Sequence, residues 1–197
     1  MRKIAINTIE KIAINTIEEA LQALIQGNKK FVAAQKNGSV LKEINPISAA
    51  DGQQPYAVIV TCSDSRVPAE YVFSAGIGDL FVIRTAGHVI GEFELGSIEY
   101  GVKYLGAKVV LVLGHNHCGA VQAAMGSHGD GYVKRILDEI IPVITGENDV
   151  EICERLNIDN SIRRIMASEL IKNEVAAGHL RVASAKYDIE SGRVEFF

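Results

Sequence analysis

No stretch of this 197-residue sequence is apolar for long enough to cross a bilayer. Its longest apolar run, residues 109–113, has the length of a strand, against about 20 residues for a spanning helix. The amino-terminal segment carries Arg2 and Lys3 but no sustained apolar core and no small-residue cleavage site, so no secretion signal is expected. Cysteine is scarce and odd in number. Cys62, Cys118 and Cys153 are too few and too scattered for a disulfide framework, which points to a reducing, cytoplasmic setting with thiols free for metal or catalysis. An excess of basic charge is missing as well. With 20 Lys and Arg against 24 Asp and Glu, the formal net charge is −4, and nothing marks a nucleic-acid or membrane partner. Neither glycine-rich nucleotide loop occurs, since Gly87 and Gly91 sit in no phosphate-binding pattern. What is present is an ordinary globular mix, 48% hydrophobic and 22% charged, in a length that suits one domain with a sizeable core.

Along the chain, the octapeptide KIAINTIE fills residues 3–10 and recurs at 11–18, too short a repeat for a solenoid and best read as a slipped duplication. Ile9, Ile12, Ala13, Thr16, Ile17, Ala20, Leu21 and Leu24 recur at helical spacing, with Gly27 as the expected stop. A second helix is expected over residues 28–36, ending near Gly38. Residues 37–55 are polar, with Gly, Ser, Asn and Pro, and read as a loop. Residues 56–61 read as a buried parallel strand, 80–84 as a second strand and 108–113 as a third, buried one. Short or amphipathic helices are expected at 68–73, 92–105, 119–125, 132–141 and 161–177. A late strand at 180–187 pairs with 193–197 through a turn at 190–192. This pattern predicts a single-domain α/β fold: a mainly parallel central sheet flanked by helices, an amino-terminal helical arm (residues 1–38), a main domain (39–197) and a carboxy-terminal strand pair.

Two of the strands end in metal-competent residues. One leads into Cys62-Ser-Asp64-Ser-Arg66, the other into His115-Asn-His-Cys118. Ligand sites in open α/β sheets lie beyond the carboxyl ends of the strands, so these segments are expected to converge although they start 53 residues apart. Two thiolates and an imidazole suit tetrahedral zinc, and three protein ligands leave the fourth position open, which is the catalytic pattern. Asp64 has two readings: a fourth ligand that closes the site, or a carboxylate beside the metal that accepts a hydrogen bond from a zinc-bound hydroxide. A guanidinium fork from Arg66 would favour the second by holding the carboxylate off the metal. His117 is expected to turn aside. His88 reads as a histidine with a local hydrogen bond, with proton transfer as its alternative. Cys153 reads as a buried thiol and Tyr104 as packing.

These motifs resemble the beta-class carbonic anhydrases. The matching residues are Cys62-Ser-Asp-Ser-Arg66-Val-Pro68 and Gly114-His115-x-x-Cys118-Gly119, with supporting segments at 80–84, 97–102, 178–182 and 187–192. The resemblance covers about residues 28–197. It implies one zinc ion per chain on Cys62, His115 and Cys118, an Asp64–Arg66 dyad, and reversible hydration of carbon dioxide to bicarbonate with zinc hydroxide as nucleophile. It further implies substrate-pocket roles for Gln53, Phe81, Tyr100 and the backbone N–H of Gly119. The pocket would be built across the interface of a homodimer or tetramer. The sequence departs from the family at Thr85 and His88, where many members have asparagine. It also lacks tryptophan, so an allosteric bicarbonate site that uses one in some members is incomplete here. Two alternatives stand beside this reading: a carbon disulfide or carbonyl sulfide hydrolase on the same scaffold, and a non-catalytic assembly subunit whose zinc site is closed by Asp64.

Overall fold

The computed structural model of the chain describes residues 14–37, 52–126 and 129–197. Most of the octapeptide duplication, most of the 37–55 loop and the proposed 38/39 boundary lie outside the described residues. The elements in chain order are α1 (Ile17–Asn37), β1 (Ala57–Cys62), α2 (Ala69–Val72), β2 (Leu80–Thr85), a 3₁₀ turn (Ala86–His88), α3 (Glu92–Lys103) and β3 (Val109–His115). They continue with α4 (Gly119–Met125), α5 (Gly131–Ile144), α6 (Val150–Ile165), α7 (Glu169–Ala176), β4 (Arg181–Tyr187) and β5 (Val194–Phe196). The sheet order is β2-β1-β3-β4-β5, with β1 to β4 parallel and β5 antiparallel at the edge.

Every residue of β1 and β3 is buried, which explains why both read as continuous apolar runs: a parallel strand here is covered on both faces. Side chains alternate between two layers. Ala57, Ile59, Val109, Leu111 and Leu113 pack with Ala20 and Leu24 of α1 and with Val72 and Phe73. Val58, Val60, Val110 and Val112 pack with Ile98 of α3, Ile158 of α6 and Ile171 of α7. The chain winds from β1 out to β2 and then back across β1 to β3. The direction of winding therefore reverses beside β1, and Cys62 and His115 end the two strands that flank this switch.

Two helical expectations change. Gly27 does not stop a helix, since α1 passes through it unbroken. Its missing side chain serves a contact instead, because a Cβ there would stand 1.8 Å from the carbonyl oxygen of Phe73. Residues 161–177 are not one helix either. α6 begins at Val150, behind an Asp149 cap that accepts from the N–H groups of Glu151 and Ile152, and it ends at Ile165. α7 starts afresh behind Ser168, whose hydroxyl accepts from Ile171 N–H. The first half of α6 escapes hydropathy reading because its inward face includes Glu154 and Asn157, both buried.

Candidate metal centre

The carboxyl ends of β1 and β3 are tied together by Thr61, whose hydroxyl donates to Leu113 O at 2.8 Å. Just beyond, one sulfur or nitrogen atom from each of Cys62, His115 and Cys118 comes within 4.8 Å of the other two, and all three residues are buried. The histidine tautomer follows from its neighbour. Nδ1 lies 2.7 Å from Asn116 O, and a carbonyl only accepts, so Nδ1 carries the proton. Nε2 is then a bare lone pair, and it is buried without a hydrogen-bond partner. Leaving such an atom unsatisfied costs about 1–3 kcal/mol, which a metal ion placed among these three atoms would remove. The sulfurs are prepared in the same way. Cys62 Sγ accepts from the N–H groups of Gly87 at 3.2 Å and Asp64 at 3.4 Å. The Cys118 thiol shares its proton with Cys62, and together with the backbone N–H groups of Asp64 and Gly87 this holds the Cys62 thiol far below its usual range. The same shared proton, together with burial, holds Cys118 up. Two sulfurs and one imidazole nitrogen in this arrangement fit zinc.

Asp64 is not part of the three-residue group. Arg66 grips it with Nε on Oδ1 at 2.9 Å and Nη2 on Oδ2 at 2.8 Å, while the Arg66 backbone N–H adds a third bond to Oδ1 at 3.0 Å. That grip, led by the guanidinium hydrogen bonds, pulls the Asp64 carboxyl down to about 2. The loop is steadied from β2 by Arg84, which donates to Cys62 O at 3.1 Å and to Asp64 O at 2.6 Å. Sequence reasoning treated Arg84 only as a strand end. Its signal was a cation closing an apolar strand, in register with Thr61 one residue before the ligand. Glu154 was missed altogether; its carboxylate accepts the backbone N–H of Cys118 at 3.2 Å.

The other anticipated residues separate into groups. Gly119 is the exposed first residue of α4, directly after Cys118. His117 turns away from the centre, with Nε2 on Glu190 at 2.7 Å. His88 is buried rather than looped out. Its Nδ1 lies 2.9 Å from Ser161 Oγ on α6, and burial pulls its pKa down to about 4, so it is neutral near pH 7. Cys153 is fully buried. Phe81 and Tyr100 meet each other, with ring centroids 6.1 Å apart, but not the metal group. Phe81 pairs with Val58, four residues before Cys62, so it stands roughly 13 Å down the strands from the site. Gln53 is exposed where the chain approaches the amino end of β1. Within one chain, these three residues sit towards the opposite end of the sheet from Cys62, His115 and Cys118.

A family model described as carbonic anhydrase matches residues 57–194, from the first residue of β1 to the first of β5. The chain belongs to the carbonic anhydrase family. It is 40% identical over 185 residues to carbonic anhydrase 2 of Mycobacterium tuberculosis, a match covering 88% of this chain and 89% of that one. The fold aligns with a beta-carbonic anhydrase of Aspergillus fumigatus at a TM-score of 0.72 and 25% identity, covering 90% of each chain. It also aligns with a solved structure from a study of two tetrameric beta-carbonic anhydrases of Sordaria macrospora, at a TM-score of 0.71 and 25% identity, covering 90% of this chain and 96% of that one. The class is therefore beta, as the motifs around Cys62 and His115 suggested. Carbonic anhydrases are lyases whose general reaction is carbon dioxide hydration, and the beta class uses zinc. Cys62, His115 and Cys118 are the residues that would hold it.

Proposed function

We propose that this carbonic anhydrase hydrates carbon dioxide reversibly to bicarbonate and a proton at an open zinc site, with Asp64 and Arg66 as its orienting dyad. The observation that carries the reading is the commitment of Asp64: Arg66 takes both of its carboxylate oxygens, which keeps it from serving as a fourth ligand. When bound, zinc lowers the pKa of a coordinated water from about 15.7 to roughly 7, supplying a strong nucleophile near neutral pH. Asp64, held well below that range, is always an acceptor. Its Oδ2 receives one bond from Arg66 and keeps a lone pair to take the hydrogen of the attacking group and aim its oxygen. In this reading the N–H of Gly119, at the first position of α4 directly after Cys118, donates to a substrate oxygen.

Gln53, Phe81 and Tyr100 complete the pocket from a second subunit in this reading. Their distance from the metal group within the chain supports it, and so does the half-exposed ring of Tyr100 beside the exposed Tyr104 and Phe93 on α3. A homodimer is the smallest assembly that satisfies this, and a pair of dimers would do so equally. Among the described residues no helix is long and apolar enough to cross a membrane. The three free thiols support a reducing, cytoplasmic setting.

The test is stopped-flow carbon dioxide hydration on zinc-quantified protein from mildly acid to mildly alkaline pH. Fast turnover at about one zinc per chain, rising through the neutral range, is expected. No turnover at any pH with zinc fully bound would overturn the reading. Failure to exchange bound water for azide would then identify a closed site, and turnover of carbon disulfide a different substrate.

A further inference from the structure

The link between the last two ligands is a strained turn. His117 has φ 55°, a left-handed conformation that residues with a side chain rarely adopt. Cys118 follows in extended geometry as the cap of α4, where its N–H has no helical acceptor. The single peptide between these residues is gripped at both ends. Its carbonyl, on His117, accepts from Arg66 Nη2 at 3.2 Å. Its N–H, on Cys118, donates to Glu154 Oε1 at 3.2 Å. The other Glu154 oxygen lies 2.8 Å from Lys186 Nζ, with the Glu154 side chain 3% exposed and that of Lys186 13%. Asp64, Arg66, the peptide, Glu154 and Lys186 thus form one chain of contacts with alternating charge, in which the peptide dipole points its oxygen at the cation and its N–H at the anion.

We infer that Glu154, neutralised by Lys186, is a positioning residue of the metal centre: it holds the His117–Cys118 peptide in its strained orientation and so presents Cys118 Sγ to the metal. Burying a carboxylate beside a pair of thiols is costly unless it has partners, and Lys186 together with the Cys118 N–H provides them. Each end of the clamp comes from a different element. Arg66 follows β1, Glu154 lies on α6 and Lys186 on β4, so the grip on Cys118 is set by the tertiary fold and not by its own loop. The second Lys186 contact, to the exposed Glu151 at 3.8 Å, is long and wet by comparison. The inference rests on metal binding at Cys62, His115 and Cys118 and is independent of the reaction.

Two double variants isolate the hydrogen bond from the ion pair. Glu154→Gln/Lys186→Met removes both charges and keeps an oxygen for the Cys118 N–H. Glu154→Leu/Lys186→Met removes both charges and that oxygen, with Glu154→Val/Lys186→Met as the substitute where the leucine variant does not fold. Zinc affinity by chelator competition is the first readout. The thiolate-to-metal charge-transfer band of the cobalt(II)-substituted protein is the second, and thermal unfolding of the metal-free proteins controls for simple loss of stability. The expected result is near wild-type affinity and band position for the glutamine variant, with affinity about 10–100-fold weaker and a shifted band for the leucine variant. The metal-free unfolding temperatures of the two should be alike. Equal affinities and equal bands would overturn the inference, as would an affinity loss matched by an equal loss of metal-free stability. A wild-type protein that binds no zinc would instead refute the metal reading.

Discussion

Gly114 stands one residue before the His115 ligand, at the end of a strand pressed against α6. Replacing it with alanine tests whether the position of that ligand is set by packing. The added Cβ would meet Ile158 Cδ1 at 2.4 Å and Cγ1 at 2.5 Å, with His88 Nε2 at 3.4 Å. Carbon atoms pack best at about 3.5–4.0 Å, so two atoms of one side chain are each too close by about 1 Å or more. Ile158 is fully buried among the side chains of the second core layer. Overpacking of this kind costs about 1–3 kcal/mol. Against it, alanine in place of glycine recovers roughly 0.5–1 kcal/mol of chain entropy. The net expectation is roughly 0–2.5 kcal/mol of lost stability, centred near 1, with β3 pushed away from α6 and His115 moved with it. Urea unfolding of the zinc-loaded protein measures the first effect and chelator competition the second. A cycle with Ile158→Ala sharpens the test, because the two changes compensate in volume. The double variant should be more stable than the sum of the singles predicts by about 1 kcal/mol or more. Wild-type stability and zinc affinity in Gly114→Ala, or a strictly additive cycle, would refute the packing argument.

Arg66→Ala frees Asp64 to swing toward the metal, and turnover should fall on the order of 10²-fold while zinc content is retained; an unchanged rate would remove the dyad from the mechanism. Gln53→Ala should lower kcat/KM without altering zinc content or fold, and a stoichiometric mixture of this variant with Cys62→Ala should regain part of the activity, since each interface site then draws on two different chains. A monomeric, fully active enzyme would contradict this. His88 is buried with its pKa pulled from 6.5 to about 4, so the unfolded chain binds its proton first as pH falls. Stability contributed by neutral His88 is complete above pH 6.5 and is lost between 6.5 and 4, by at most about 1.4 kcal/mol per pH unit. His88→Gln should flatten the decline of urea-unfolding free energy over pH 6.5–5, and an identical slope would count against the burial argument.

The parts of this enzyme legible in the sequence are those where one physical rule dominates. β1 and β3 are covered on both faces, so they read as unbroken apolar runs, and whatever chemistry follows such a run falls at the carboxyl edge of the sheet. Cys62, Asp64, Arg66, His115 and Cys118 all lie at or just beyond the ends of those two strands. What escaped was set by contacts between distant elements. The first half of α6 is hidden because Glu154 and Asn157 face inward, where hydropathy expects aliphatic side chains. Gly27 looked like a helix terminator because its contact with Phe73, 46 residues on, leaves no local trace. Arg84 reads as an ordinary strand end until β2 is laid beside β1. The distance between Phe81 and Cys62 is likewise invisible until the register of those strands is known.

The order in which the sheet is wound also bears on how the enzyme folds. Cys62 and His115 lie 53 positions apart, with the whole of β2 and α3 between them, and they become neighbours only once β3 has crossed back over β1. In the unfolded chain only His115 and Cys118 are close enough to share an ion, and two donors make a weak trap. Zinc therefore cannot nucleate this fold as it nucleates a zinc finger, whose metal-free chain is unfolded. The apolar sheet must assemble first, at the slow pace of long-range strand pairing, and the ion enters a pocket that is already built. Protein stripped of metal should keep its far-ultraviolet circular dichroism and a cooperative melt while losing all turnover, and it should regain activity on zinc addition faster than a denatured sample refolds.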